Sequence, residues 1–185
     1  LGNWIPLTWL SFELDVTLWG LNASAMHRTD LVLHTISVLL IFVFLSRTSG
    51  SRMASAVSAA LWGLHPLRVE SVAWIAERKD LLSGLFFWLT ILAYSRYVGA
   101  PSVGRYLTMT ACFVCGLCSK SMLVTLPALF LLLDIWPLNR LRLPTPENRT
   151  ATGQIFIEKV PLFLLSGIVS AITINYQKRA IADNA

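Results

Sequence analysis

The chain has 185 residues, 55% of them hydrophobic and 14% charged, with a mean hydropathy of +0.63. Soluble domains carry roughly 25% charged residues, so this balance excludes an ordinary water-soluble domain, and it also excludes disorder, which needs low hydrophobicity and high net charge. Three cysteines cannot frame a disulfide scaffold, and the formal charge of +5 is met more simply by basic loops on an anionic leaflet than by nucleic acid.

Segment 1–30 mixes Trp4, Pro6, Trp9, Phe12, Leu14 and Trp19 with Glu13, Asp15 and Asn22. Tryptophan favours the membrane–water interface, so this segment predicts an interfacial helix at the end of an outer loop. Apolar stretches then follow at 31–46, 53–65, 81–97, 106–118, 121–136 and 160–177, with a short tail at 178–185. A span needs roughly 20 predominantly apolar residues, and most of these stretches are shorter. Their crowding, and the absence of two-residue alternation, still point to helices. The expected fold class is all-α: a polytopic membrane helical bundle of about six transmembrane helices after an N-terminal interfacial helix.

The loops set an orientation. Arg47 and Arg52 lie in the first connection, Arg96 and Arg105 in the third, and Arg140, Arg142, Arg149 and Lys159 in the fifth. These basic loops belong in the cytoplasm. The charge-balanced second connection, 65–80, then faces the periplasm or a lumen. Keeping the three basic loops on one side requires the chain between 106 and 136 to turn at Ser119-Lys120-Ser121 rather than run as one helix.

The second connection is the main candidate for chemistry. It reads His65-Pro66-Leu67-Arg68-Val69-Glu70-Ser71-Val72-Ala73-Trp74-Ile75-Ala76-Glu77-Arg78-Lys79-Asp80. In one continuous helix, Glu70, Glu77 and Asp80 would fall within about 80° of one face, with Arg68 and Lys79 opposite. A carboxylate face can bind a divalent cation or act as a base, and a basic face can hold a phosphate. The competing reading is a solvated loop whose charges pair with one another. Lys120, in the second outer turn, can meet a lipid phosphate or snorkel to the headgroups.

Other residues read more plainly. His27, Arg28 and Asp30 precede the first stretch, His34 within it is expected to pack, and Asp134 is expected to end a helix at the interface. Cys112, Cys115 and Cys118 have the spacing of an iron–sulfur run but lie in an apolar helix without a fourth ligand, so they are expected to be buried thiols. Asn22-Ala23-Ser24 and Asn148-Arg149-Thr150 fit the glycosylation acceptor pattern, the first on the expected outer side.

Several strings resemble a known family. These are Asn3-Trp4-Ile5-Pro6-Leu7-Thr8-Trp9-Leu10-Ser11 with Leu14-Asp15 and Leu18-Trp19-Gly20-Leu21-Asn22, then 65–82, then Ser119-Lys120-Ser121-Met122-Leu123-Val124-Thr125-Leu126-Pro127 with Leu133-Asp134-Ile135-Trp136-Pro137-Leu138. They resemble bacterial inner-membrane proteins that carry tetratricopeptide repeats after a membrane domain. That family is related to the transmembrane-and-TPR O-mannosyltransferases of the GT-C glycosyltransferase superfamily. Ser121 departs from the family pattern, which usually has Pro there.

The resemblance implies a GT-C-like bundle and a reaction. A mannose-type sugar would pass from a polyprenyl-phosphate donor to a protein or another acceptor on the periplasmic or lumenal side. It implies Lys120, Arg78, Lys79, Arg68 and His65 as candidates for the donor phosphate, and Glu70, Glu77 and Asp80 for a divalent cation or the acceptor. Membrane lipids, the lipid-linked donor and a protein acceptor or larger membrane complex are the implied partners, with no nucleic acid. The family's catalytic acid lies in the first outer loop. This chain, opening on Leu1 without a signal-peptide pattern, is expected to begin inside that loop, with the base upstream of Leu1. Glu13 and Asp15 are the carboxylates left in that segment. The alternative function is a non-catalytic accessory subunit derived from the same fold.

Overall fold

In a computed structural model, residues 4–141 and 149–182 are described. Arg142 and Asn148, noted above for charge and for the second acceptor motif, lie outside them, as do Leu1–Asn3 and 183–185. The described residues are helical and form two compact units, one over Ile5–Lys120 and the other over Ser121 to the C-terminal end.

The first unit begins with α1 (Pro6–Trp19), started by a proline at its first position and stopped at Gly20, whose φ of 64° suits glycine. In α2 (Ala23–Ser49), Asn22 Oδ1 caps the first turn by accepting from Ala25 N–H, and left-handed Gly50 closes the last. Ser51 caps α3 (Arg52–Gly63), and Ser102 caps α6 (Val103–Ser119). Between them lie α4 (Pro66–Ala73) and α5 (Arg78–Gly99). Helix α5 packs against α6 and α2, and α2 against α3. Ile41, Leu81, Ile91, Tyr94, Met109, Phe113 and Leu117 fill the interior.

Three helical stretches among the described residues are long and apolar enough to cross a membrane: Ala23–Ser49, Ile75–Gly99 and Gly153–Ala182. Val103–Ser119 and Ser121–Ile135 are shorter apolar helices. With 12 residues, α3 rises about 18 Å against a hydrocarbon core of about 30 Å. The periphery is apolar along α2, where Leu31, Val32, Ile36 and Leu39 are exposed. That is the surface a lipid solvent leaves uncovered, because lipid exerts no hydrophobic force to bury it.

Helix α1 is polar inward and largely apolar outward. Thr8 and Asp15 are buried, while Trp9, Leu10, Leu14, Leu18 and Trp19 are exposed beside Glu13. Thr8 Oγ1 donates to the Ser119 carbonyl at 3.1 Å, tying α1 to the end of α6.

His34 in α2 packs as expected. Its Nε2 lies 2.9 Å from the Gly63 carbonyl, and its ring stacks on Trp62 at 5.7 Å between centroids. Gly63 permits this approach: a Cβ there would stand 2.7 Å from Val38 Cγ2. Valine is stiff at χ1 and cannot swing aside. Gly63→Ala is therefore expected to destabilise the α2–α3 pair by about 1–3 kcal/mol. Thermal unfolding in detergent checks this, and an unchanged midpoint would show that the helices separate freely.

The second unit contains α7 (Leu126–Ile135), preceded by a 3-10 segment at Ser121–Thr125, then α8 (Arg149–Ile157) and α9 (Val160–Ala182). The 3-10 segment packs on α9. Lys120, with extended φ and ψ, ends α6, so the chain from 106 to 136 is not one helix.

Candidate functional site

The second connection is not the single helix assumed for its carboxylate face. Trp74 adopts extended backbone angles (φ −98°, ψ 106°), a 3-10 turn covers Ile75–Glu77, and α5 starts afresh at Arg78. Glu70 consequently stays on α4, exposed, away from the start of α5. Among the described residues no three His, Cys, Asp or Glu side chains gather in a group able to hold a metal ion. Glu70, Glu77 and Asp80 are thus not assembled as a ligand set.

Arg78 also differs from its expected role. It is fully buried. Its Nε donates to Asp30 Oδ1 at 2.6 Å, and Nη1 lies 2.6 Å from Asp15 Oδ2. Nη1 and Nη2 donate to the carbonyls of Ser11 and Met26 at 3.3 and 3.0 Å, and the guanidinium lies 4.5 Å from the Phe12 ring centroid. A planar fork with several donors suits such a junction, and lysine would not reproduce it. The guanidinium has no exposed face left for a donor phosphate. It joins α1, α2 and α5, and Thr29 Oγ1 completes the cluster by donating to Asp15 Oδ1 at 3.0 Å. Asp15 is engaged here, which removes it as a free base.

The remaining charges of the connection pair at the surface. Lys79 Nζ donates to Glu77 Oε1 at 3.0 Å, each side chain about a quarter exposed. Lys120 Nζ donates to Asp80 Oδ1, joining the end of α6 to the first turn of α5. At 31% and 28% side-chain exposure, this pair is open to a competing anion. Arg68 lies over the Trp62 ring at 4.3 Å, a cation–π contact that holds α4 to α3. His65 Nδ1 accepts from the Leu67 backbone N–H at 3.2 Å, so it caps α4. Of the phosphate candidates, Lys120 and Lys79 remain accessible beside α5, while Arg68 and His65 have structural partners on α4.

Two further sets of contacts escaped the reading by spacing. Asp15 and Asp30 are the buried partners of Arg78; carboxylates next to an apolar stretch are costly unless paired, and that was the available signal. In the second unit Asp134 does not meet the interface as expected. It is fully buried, with Lys159 Nζ 2.6 Å from its Oδ2. Arg140 Nη1 lies 2.6 Å from Glu158 Oε1, and the Arg140 and Leu141 backbone N–H groups donate to the Asp134 carbonyl. Cys112, Cys115 and Cys118 are free and half-buried along α6.

No family model matches the chain, and no solved structure matches it. Curated proteins do. The chain is 30% identical over 132 residues to "Protein O-mannosyl-transferase Tmtc1" of Drosophila melanogaster, covering 63% of this chain and 15% of that protein. It is 30% identical over 153 residues to "Protein O-mannosyl-transferase TMTC2" of Mus musculus, covering 78% of this chain and 18% of that one. The human TMTC2 protein of the same name is 29% identical over 175 residues, 90% of this chain and 21% of its own length. The chain thus spans about a fifth or less of the length of these relatives. It is a membrane-type helical protein related in sequence to the TMTC protein O-mannosyl-transferases.

Proposed function

We propose that this chain is part of the membrane domain of a glycosyltransferase, moving a mannose-type sugar from a polyprenyl-phosphate donor to a hydroxyl of a protein or another acceptor. The reading places about six spans in a GT-C-like bundle, with 65–80 and Lys120 on the periplasmic or lumenal face, as the basic loops argue. A bacterial inner-membrane location and downstream tetratricopeptide repeats belong to the same reading. The observation that carries it is the sequence relationship to the TMTC protein O-mannosyl-transferases; the partly exposed Lys120–Asp80 pair at the junction of α6 and α5 lies within two of the three segments that bear the resemblance.

In this reading the acceptor oxygen attacks the anomeric carbon and gives its proton to a base. The carbon–oxygen bond to the donor phosphate breaks, and polyprenyl phosphate leaves with the electron pair. Lys120 leaves Asp80 to hold that phosphate, and Lys79 lies one residue before Asp80 on α5 to add to the positive potential. A charge-assisted contact of this kind contributes about 1.5–3 kcal/mol. A divalent cation, if the transfer requires one, would add charge neutralisation at the phosphate.

The test uses the whole protein in membranes with labelled polyprenyl-phosphate mannose and an acceptor protein. Lys120→Ala is expected to slow transfer by about tenfold or more, following from that contact energy. Unchanged transfer would remove Lys120 from the site. Absence of transfer by the unaltered protein would favour the accessory-subunit alternative.

A further inference from the structure

A groove of about 330 Å3 opens between the end of α1 and the start of α2, lined by Trp19, Ala25, Arg28, Thr29 and Val32. Its walls are mainly apolar, and Trp19 and Val32 are 59% and 56% exposed. Arg28 is exposed, and no acidic side chain among the described residues pairs with it. The neighbouring carboxylates do not compete: Asp15 and Asp30 are buried and held by Arg78. Thr29, the other polar wall, donates to Asp15 and to the Ala25 carbonyl.

The groove also lies at one end of a helix long and apolar enough to cross a membrane. Ile36 and Leu39, one and two turns beyond Val32 on the same side of α2, are exposed. A cation at the headgroup level, an indole beside it and an open aliphatic wall running toward the membrane interior match one kind of ligand. That ligand has an anionic head and an acyl tail. We infer that this groove binds an anionic glycerophospholipid, with its phosphate on Arg28 and the upper part of a chain against Trp19 and Val32. The site is separate from the Lys120–Asp80 pair and does not depend on transferase activity.

The test is native mass spectrometry of the delipidated whole protein titrated with phosphatidylglycerol or phosphatidylcholine. One basic side chain against an anionic head is worth about a fivefold preference, and that preference is expected for phosphatidylglycerol. Arg28→Gln should abolish it and Arg28→Lys retain most of it. Because Arg28 has no ion pair within the described residues, thermal stability should be unchanged in the absence of lipid. Val32→Trp, which fills the groove and leaves Arg28 in place, should weaken binding of both lipids. Inorganic phosphate should not displace phosphatidylglycerol. Equal retention of the two lipids, a preference that survives Arg28→Gln, or displacement by free phosphate or by polyprenyl phosphate at equal concentration would each overturn the assignment.

Discussion

Replacement of Arg78 by Met is expected to destabilise the first unit by about 3–5 kcal/mol, the usual effect of removing one partner from a buried ion pair. The size follows from burial. Arg78 and Asp30 have no exposed side-chain surface and Asp15 has 6%, so water cannot replace the lost guanidinium. The Ser11 and Met26 carbonyls would also lose a donor. Arg78→Lys should recover only part of the loss, since an ammonium cannot reach two carboxylates and two carbonyls from one plane. Adding Asp15→Asn and Asp30→Asn to Arg78→Met should restore stability in part, because the penalty lies in the stranded carboxylates. Chemical unfolding in detergent measures all three. A loss below about 1 kcal/mol for Arg78→Met, the level of an exposed pair, would mean that the cluster is hydrated.

Asp134→Leu is expected to destabilise the second unit to a comparable degree, about 3–5 kcal/mol. The Asp134 and Lys159 side chains are 0% and 1% exposed. Lys159 retains Glu158 at 3.2 Å and the Ile155 carbonyl at 3.0 Å. It would nonetheless lose its short contact and keep its charge inside. Glu158→Gln should have the smaller effect, about 1 kcal/mol, since Glu158 is 16% exposed and Arg140 20%. Limited proteolysis across Leu126–Ala182 separates the outcomes: Asp134→Leu should expose new cleavage sites there, and Glu158→Gln should not. Equal protection of both variants would show that the buried pair contributes no more than the partly exposed one.

These two clusters also mark the boundary between what could be read in advance and what could not. Composition alone determined the solvent. With so few charges, the chain must satisfy its backbone within helices and leave its apolar surface to lipid. Local chemistry determined several helix ends: Asn22, Ser51 and Ser102 as caps, Pro6 and Pro66 as starts, Gly50 as a stop. The packing role of His34 was likewise legible, because a single imidazole in an apolar stretch has few alternatives to a backbone partner.

Only the tertiary structure decided which charges are buried. Arg78, Lys79 and Asp80 are consecutive, and helical spacing treats them as members of one charged turn. Folding sends Arg78 inward to residues 48 and 63 positions away, and leaves Lys79 and Asp80 at the surface. Spacing along a helix fixes only the direction in which a side chain leaves its own axis. Whether that direction meets water, lipid or a carboxylate depends on what α1 and α2 place there. The same reason moved Asp134 from the interface to a buried pair with Lys159. It also left Lys120 partly exposed, joined to Asp80 forty residues earlier.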